Sequence, residues 1–346
     1  MKLSSFQNYL KQQNIQTTYF VSPDPTITYF TQMEPSHGYL IINQKSSSFY
    51  ISKLDKKPQL KNIKTTIINK EFETKIKNNK ITKVGINKTA LTVQQLDKAK
   101  KLFPKAKFVD VSEQLAELRK TKTDSELSNI KKACSITSKA FDLLCNELPN
   151  KNLKTEMDVA FFLEKSIKFQ GAQLAFPTIV AMGKNAATPH HITSNYKLKK
   201  GFLLLDFGAR YNNYCADMTR IVFLGTPKPT EKKMYELLFE AQQTAVKQVS
   251  SETPFFALDK LVRNKLETHS KYFIHSLGHG IGLEVHEDPV FSNKESKIEV
   301  NVPFTIEPGV YLPGKYGLRI EDTVVWDGKK VEIMTKASKE LKIIEY

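Results

Sequence analysis

The pattern of apolar and polar residues divides the chain into two stretches of different character. In the first, short runs rich in β-branched and aromatic residues at 17–21, 38–42 and 48–52 predict strands. Apolar positions at helical spacing over 91–103 predict an amphipathic helix. Strands and helices mixed in this way predict a small α/β domain.

A helix start marks the end of the first stretch. Thr123 and Glu126 form a capping-box pattern, and apolar side chains recur after them at helical spacing. We therefore expect two domains, over residues 1–122 and 123–346. Two is also the expected number of domains for a chain of 346 residues.

The second stretch contains an approximate internal repeat, in which two helices precede a hairpin. The predicted elements are helices at 123–147 and 155–169, hairpin strands at 201–206 and 214–224, helices at 230–250 and 254–269, and hairpin strands at 302–311 and 317–326. The residues at 211–213 and 313–317 are of the types that close hairpins. Two halves related by a pseudo-twofold axis would bring the hairpins together.

Each hairpin carries two carboxylates among apolar neighbours. Asp206 and Asp217 lie on the first hairpin, and Glu307 and Glu321 follow on the second at offsets of 101 and 104 residues. Acidic residues are disfavoured inside strands, and a buried carboxylate needs a cation. One such residue is more often a helix cap or an ion-pair partner. Four at matched positions, with His279 in a glycine-rich segment, predict a metal site.

This ligand set is rich in oxygen and larger than one ion requires. It suits Mn²⁺, Co²⁺ or Fe²⁺ and tolerates Zn²⁺, whereas a structural zinc site would use thiolates. Two bridged ions lower the pKa of a shared water and polarise a carbonyl, so hydrolysis is the expected reaction class. Cys134, Cys145 and Cys215 show neither disulfide nor metal spacing, which favours a reducing compartment.

Five segments of the second domain carry a family resemblance: LLLDFGAR at 203–210, YCADMTR at 214–220, HSLGHGIGLEVHEDP at 275–289, IEPGVYLPG at 306–314 and GLRIED at 317–322. In this order they resemble the pita-bread metallopeptidases, and specifically their aminopeptidase P and prolidase branch. The first domain resembles the creatinase-like N-terminal domain of the family in outline only. The resemblance implies an α/β (α+β) chain whose pita-bread (creatinase/aminopeptidase) catalytic domain carries a pseudo-twofold repeat.

The resemblance also assigns roles to the five ligands. Asp206 is expected to bind one ion, Asp217 and Glu321 to bridge both ions, and His279 and Glu307 to bind the other. Glu307 is further expected to pass a proton from the nucleophile to the leaving nitrogen.

Four more residues match positions around the substrate. His190 and His286 are expected to contact the carbonyl and its developing oxyanion. His275 and Arg319 are expected to shape the pocket and orient the ligands. Two alternatives stay open, because His191 stands beside His190 and because His275 also suits the role of a buried core histidine.

The implied activity is hydrolysis of the peptide bond between an N-terminal residue and a following proline, with two divalent ions, Mn²⁺ first and Co²⁺, Zn²⁺ or Fe²⁺ as alternatives. Xaa-Pro aminopeptidase is favoured, and Xaa-Pro dipeptidase (prolidase) is the alternative. Prolidase-like sequences commonly place an Arg after the Pro of HisGluXaaPro, where it can hold a dipeptide's carboxylate, but Val290 stands there in this chain.

Three other functions are less favoured. A non-catalytic pita-bread binding protein and a creatinase-type hydrolase would both lack part of this ligand set. A single-domain methionine aminopeptidase would lack the first domain.

Basic residues concentrate in the first domain. Residues 1–122 contain 22 basic and 9 acidic residues, which accounts for +13 of the net charge of +16. These lysines are not interleaved with aromatic residues, so a solvated surface is favoured over a nucleic-acid interface. With neither a signal-peptide core nor an apolar stretch of bilayer length, we expect a cytoplasmic protein that acts on proline-containing peptides, without a nucleic-acid or membrane partner. A homodimer is implied by the resemblance.

Overall fold

The computed structural model describes residues 2–291 and 296–345. The chain divides into two compact units, Met1–Arg119 and Lys120–Tyr346. Within the described ranges, no helix is both long enough and apolar enough to cross a bilayer.

The first unit combines a three-stranded sheet and a four-stranded sheet with helices. Its elements are α1 Lys2–Gln12, β1 Thr17–Thr18, β2 Phe20–Val21, α2 Pro25–Thr31, β3 Gly38–Ile42, β4 Ser47–Ile51, β5 Lys64–Ile67, α3 Phe72–Ile76, β6 Lys83–Ile86, α4 Val93–Leu102, β7 Lys107–Asp110 and α5 Ser112–Lys120. The smaller sheet is parallel in the order β1-β6-β7, and the larger has the order β2-β3-β4-β5.

The strands and the helix expected in this unit are present. The run at 17–21 differs in one respect, because it forms two short strands, β1 and β2, that belong to different sheets. Tyr19 lies between them with its side chain fully buried, and its backbone N–H donates to the carbonyl of Gly85. The chain therefore passes from one sheet to the other at a buried aromatic residue, which a run of apolar letters does not reveal.

The second unit contains two helix pairs and two hairpins in the predicted order. Its elements are α6 Asp124–Glu147, α7 Glu156–Phe169, β8 Gln173–Leu174, β9 Ile179–Met182, β10 Gly201–Phe207, β11 Ala209–Tyr211, β12 Tyr214–Cys215, β13 Met218–Leu224, α8 Pro229–Lys247, α9 Phe255–Leu266, β14 His279–Gly280, β15 Glu287–Val290, β16 Pro303–Ile306, β17 Gly309–Leu312, β18 Tyr316–Arg319, β19 Asp322–Trp326, β20 Val331–Ile333 and β21 Lys342–Ile344. Capping boxes begin α6 and α7, with Thr123 and Thr155 as the N-cap residues.

Each predicted hairpin consists of two consecutive ladders. β10 pairs with β13 and β11 pairs with β12 in the first hairpin, while β16 pairs with β19 and β17 pairs with β18 in the second. Gly208 lies at the break in the first, where a Cβ atom would come 1.9 Å from the carbonyl oxygen of Ala216. The break therefore requires a residue without a side chain, and a single strand pattern could not predict it.

The four carboxylates cluster at these breaks. Asp217 and Glu321 each lie immediately before a returning strand, β13 or β19, so the offset of 104 residues joins true structural counterparts. Asp206 lies near the end of β10, and Glu307 directly follows β16. The breaks thus turn acidic side chains inward at the point where the regular ladders stop.

The other two carboxylates, Asp206 and Glu307, do not occupy equivalent positions in the two hairpins. Asp206 is opposite Thr219 in its hairpin, whereas the residue opposite Thr323 in the second hairpin is Thr305. Glu307 therefore lies two residues further along its strand than the counterpart of Asp206. The repeat brings these two carboxylates together without placing them at equivalent positions.

A buried arginine connects the two hairpins. Arg220 on β13 donates to the side chain of Asp322 on β19 at 2.7 Å and to the carbonyl of Ala337 at 2.9 Å. Burial opposes ionisation of Asp322, but Arg220 and Lys339 hold its pKa below the ordinary value. Because Asp322 follows Glu321, this pair also fixes the backbone at one of the breaks.

We expect Arg220→Met to lower the free energy of unfolding of the second unit by about 3 kcal/mol, because it leaves the buried carboxylate of Asp322 with Lys339 as its remaining cation and removes the donor to the carbonyl of Ala337. Urea unfolding followed by the fluorescence of Trp326, the single tryptophan, measures this change. Lys265→Met is the matched control, since the pair of Lys265 with Glu240 is 41% and 61% exposed and should contribute about 0–1 kcal/mol. Equal losses in the two variants would contradict the role of the buried pair.

Candidate metal centre

The glycine-rich segment around β14 allows His279 to lie close to the neighbouring strands. A Cβ atom at Gly278, Gly280 or Gly282 would come within 2.0, 2.1 and 2.1 Å of a neighbouring atom, respectively. Larger residues at these three positions would therefore clash with the neighbouring chain, and the glycines let the segment that carries His279 pack closely against it.

The hairpin carboxylates and His279 lie together. One ligand atom from each of Asp217, His279 and Glu321 lies within 4.8 Å of the others. The Nε2 atom of His279 is also 3.3 Å from Oε1 of Glu307. Asp206 is connected to the same group through Arg319, which donates both to Asp206 and to the hydroxyl of Thr219, the donor to Glu321. The five side chains predicted as ligands are thus brought into one cluster.

The cluster contains more negative charge than its protein partners neutralise. Burial, followed by repulsion from neighbouring carboxylates, raises the pKa of both Asp217 and Glu321 well above the ordinary value. Burial also raises the pKa of Asp206, although Arg319 donates to its Oδ2 at 2.5 Å. A cation placed among these groups would favour their ionised forms.

Three buried oxygen atoms in the cluster accept no hydrogen bond from the described part of the chain. They are Oδ1 of Asp206, Oδ1 of Asp217 and Oε1 of Glu321. A buried acceptor left without a partner is costly, and oxygen-rich divalent-cation sites supply the missing partner. On this observation the residues fit a divalent metal.

The expected substrate histidines lie beside the cluster. The ring centroid of His286 is 4.1 Å from that of His279. His190 is exposed, and its charge contributes to lowering the pKa of both His286 and His275, after the larger effect of burial. His191 points to a different partner, because its Nε2 atom lies 2.9 Å from Oε2 of Glu156.

His275 and Arg319 are joined through a tyrosine. The hydroxyl of Tyr311 is 2.8 Å from Nε2 of His275 and accepts from Arg319 at 2.7 Å. Arg319 in turn donates to Asp206, so a continuous chain of hydrogen bonds runs from the histidine to a carboxylate of the cluster. This arrangement can fix the orientation of Asp206.

Comparison with known proteins identifies the family. The sequence profile described as metallopeptidase family M24 matches residues 128–327, and the profile of the creatinase/prolidase N-terminal domain matches residues 2–121. The chain belongs to metallopeptidase family M24. This membership confirms the pita-bread branch and the metallopeptidase class expected from the motifs, and it implies divalent metal ions.

Similar proteins extend over nearly the whole chain. A Xaa-Pro dipeptidase of Pyrococcus furiosus is 32% identical, and the alignment covers 98% of this chain and 99% of the relative. The crystal structure of the prolidase from Pyrococcus horikoshii matches with a TM-score of 0.91 and 31% identity, covering 98% and 99% of the two chains. The X-Pro aminopeptidase from Thermotoga maritima matches with a TM-score of 0.87 and 28% identity, covering 97% and 100%.

Some residues around the centre of this M24 chain were missed by sequence reasoning. Tyr311 lies inside one of the matching motifs, but nothing in the sequence indicated that its hydroxyl connects two other residues. Thr219 donates to Glu321 at 2.6 Å and accepts from Arg319 at 2.9 Å. Threonine is common in strands, so its type alone carried no indication of this role.

A buried ion pair was also missed. Lys122 is the last residue of the predicted first domain, yet its ammonium lies 2.6 Å from Oε1 of Glu287, and their side chains are 1% and 8% exposed. Glu287 directly follows His286, so the pair secures the backbone beside this histidine. A lysine at a domain boundary gave no reason to expect a buried partner that is 165 residues away.

In metal-free protein, the raised pKa values of Asp217 and Glu321 should make the folded state less stable as pH rises. The folded state keeps protons on these groups above about pH 4, where ordinary carboxyls have lost them, so each rise in pH removes stability until the raised folded pKa is passed. Thermal unfolding of chelator-treated protein from about pH 4.5 to about pH 8 measures this trend, because the range begins above the ordinary carboxyl pKa.

The double variant Asp217→Asn, Glu321→Gln is the matched control, because its amides do not titrate. The wild type should lose stability relative to this variant as pH rises. Parallel pH profiles in the two proteins would show that the carboxylates are not perturbed as described.

Proposed function

We propose that this M24 chain is an Xaa-Pro dipeptidase, which hydrolyses the bond between an N-terminal residue and a C-terminal proline with two divalent metal ions. The observation that carries the proposal is similarity over nearly the full length of both chains to proteins named Xaa-Pro dipeptidase and prolidase. These relatives support the dipeptidase alternative better than the aminopeptidase reading that the sequence favoured.

The five clustered side chains would hold the ions. In this proposal Asp206 would help to hold one ion, Asp217 and Glu321 would contribute to both, and His279 and Glu307 would help to hold the other. The unpaired buried oxygens of Asp206, Asp217 and Glu321 support these assignments. Mn²⁺ is proposed first, with Co²⁺, Zn²⁺ or Fe²⁺ as alternatives for an oxygen-rich set. Bound ions would supply an activated water and polarise the scissile carbonyl.

Glu307 is proposed to carry the proton from the nucleophile to the prolyl nitrogen. Burial opposes its ionisation, but the hydrogen bond and charge of His279 keep its pKa below the ordinary value. Glu307 is therefore ionised at neutral pH and ready to accept a proton. The Oγ1 atom of Thr305 donates to Oε1 of Glu307 at 3.1 Å, which supports a fixed orientation of the carboxylate.

His190 and His286 are proposed to stabilise the developing oxyanion. Burial is the main cause that lowers the pKa of His286, and the charge of His279 adds to it, so a neutral ring is favoured. A neutral imidazole can donate one N–H to a carbonyl oxygen. Arg319 and His275 are proposed to keep Asp206 and the pocket wall in place through Tyr311.

Xaa-Pro aminopeptidase stays a second candidate because of Val290. This residue is 53% exposed and offers no charge to a dipeptide's carboxylate. A carboxylate taken into a partly dry pocket without a partner loses binding free energy, whereas the peptide bond of a longer substrate is neutral. The similar X-Pro aminopeptidase from Thermotoga maritima is consistent with this reading.

We also propose a homodimeric protein that acts in the cytoplasm on proline-containing peptides. The described cysteines support a reducing compartment, because Cys134, Cys145 and Cys215 are all free thiols. The dimer rests on the family resemblance.

A peptide panel tests the proposed function. We expect a higher kcat/KM for Xaa-Pro dipeptides than for matched Xaa-Pro-Xaa tripeptides, and very slow cleavage of dipeptides that carry Ala in place of Pro. A tenfold preference for tripeptides would contradict the dipeptidase and establish the aminopeptidase. Val290→Arg tests whether the carboxylate of a bound dipeptide lacks a partner in the wild type. If it does, the new cation should raise kcat/KM for dipeptides more than for tripeptides.

Replacing His190 or His286 with Ala should lower kcat by about 10²–10³, the range for losing one donor to an oxyanion. Bound metal should be unchanged, because neither residue is a proposed ligand. His269→Ala is a control in the same unit and should retain normal kcat. Loss of metal in either active-site variant would overturn the ligand assignment.

A further inference from the structure

A buried carboxylate outside the metal cluster holds the segment that carries His190. Glu156 is the first residue of α7 and is fully buried. Its Oε1 atom accepts from the backbone N–H of Met182 at 2.7 Å and from the amide of Asn185 at 2.8 Å. Its Oε2 atom is 2.9 Å from Nε2 of His191 and accepts from the hydroxyl of Ser194 at 3.0 Å.

These partners lie on both sides of His190 in the sequence. Met182 and Asn185 precede it, while His191 and Ser194 follow it. The backbone of the same helix start adds a further connection, because the N–H of Met157 donates to the carbonyl of Ser194 at 3.1 Å. One side chain thus binds both ends of the segment from 182 to 194.

The partners explain why a carboxylate occupies this position. The backbone N–H, the amide and the hydroxyl that face Glu156 are all donors, and the imidazole can supply a fourth N–H. A carboxylate accepts on both oxygen atoms, whereas a glutamine would direct its own NH₂ group at two of these donors. The helix N-terminus additionally favours a negative charge here.

The exposure of the segment is consistent with a role in orienting the next residue. His191 is half-buried against Glu156, whereas His190 is exposed and Ile192 is 86% exposed. The charge of His190 adds to the effect of burial in lowering the pKa of His275 and His286, so His190 lies near both rings. Binding His191 to the carboxylate therefore fixes the backbone from which the side chain of His190 projects.

We propose that Glu156 is a positioning residue for His190, acting through His191, Asn185 and Ser194. This inference rests on the proposed peptidase function of the same site and adds a residue that the five motifs did not contain. Small displacements of a group that contacts substrate can cost about 100-fold in rate.

Glu156→Gln should lower kcat/KM for an Xaa-Pro dipeptide at least tenfold, with bound metal unchanged. Asp158→Asn is the matched control, since Asp158 lies in the same helical turn and its carboxylate accepts from the backbone N–H groups of Lys154 and Thr155 in the capping box. It weakens the start of the helix without touching the segment from 182 to 194, so its kcat/KM should stay within twofold of the wild type.

A double variant tests whether the effect passes through His190. In the His190→Ala background, adding Glu156→Gln should cause no further loss in kcat/KM, because the positioned group is already absent. A further tenfold loss in that background would overturn the proposal. If Glu156→Gln does not fold, Asn185→Ala removes one donor and is subjected to the same comparison.

Amide hydrogen exchange provides a readout that does not depend on activity. The amide of Met182 or of Ser194, whichever faces the new NH₂ group, should exchange faster in Glu156→Gln than in Asp158→Asn, because each donates to a different oxygen of Glu156 and a glutamine keeps only one of the two. Unchanged protection there would overturn the inference. Failure of the wild type to cleave any Xaa-Pro peptide would instead refute the proposed function, and the exchange result would still decide whether Glu156 holds the segment.

Discussion

Burying several carboxylates within a few ångströms of one another costs free energy, because desolvation and mutual repulsion both oppose ionisation. The second unit accepts this arrangement at the breaks of its two hairpins. There, Asp217 and Glu321 have raised pKa values, and each has one buried oxygen that accepts no hydrogen bond from the described residues. Divalent cations, which the M24 family implies, would offset both the repulsion and the missing hydrogen bonds.

Buried arginines and hydroxyl groups surround the cluster and hydrogen-bond either to its carboxylates or to the residues next to them. Arg319 binds Asp206, and the hydroxyl of Tyr311 connects Arg319 to His275. Arg220 joins the hairpins beside Glu321 by binding the next residue, Asp322, and a carbonyl beyond it. Since these side chains are held by neighbours that are themselves buried, the protein's own hydrogen bonds orient the carboxylates of the cluster.

Much of this centre could be predicted from the sequence, because short motifs contain the four acidic residues and the histidine that cluster in the structure. The helix pairs followed from capping boxes and periodicity, and the family resemblance followed from five short segments. Long-range partners could not be found in the same way. Backbone turns bring Lys122 to Glu287 and place the donors around Glu156. They also shift the register of the second hairpin, so that Glu307 and Asp206 lie at inequivalent positions.

The central claim is that the carboxylate cluster is a two-ion site, and metal analysis after equilibrium dialysis against Mn²⁺ tests it most directly. We predict two ions per chain for the wild type and fewer for Glu321→Gln, which removes a proposed bridging carboxylate. Glu332→Gln makes the same chemical change at a partly exposed ion pair with Lys131 and should retain both ions. A wild type that binds no Mn²⁺, or a Glu321→Gln variant that binds as much as the wild type, would contradict the account.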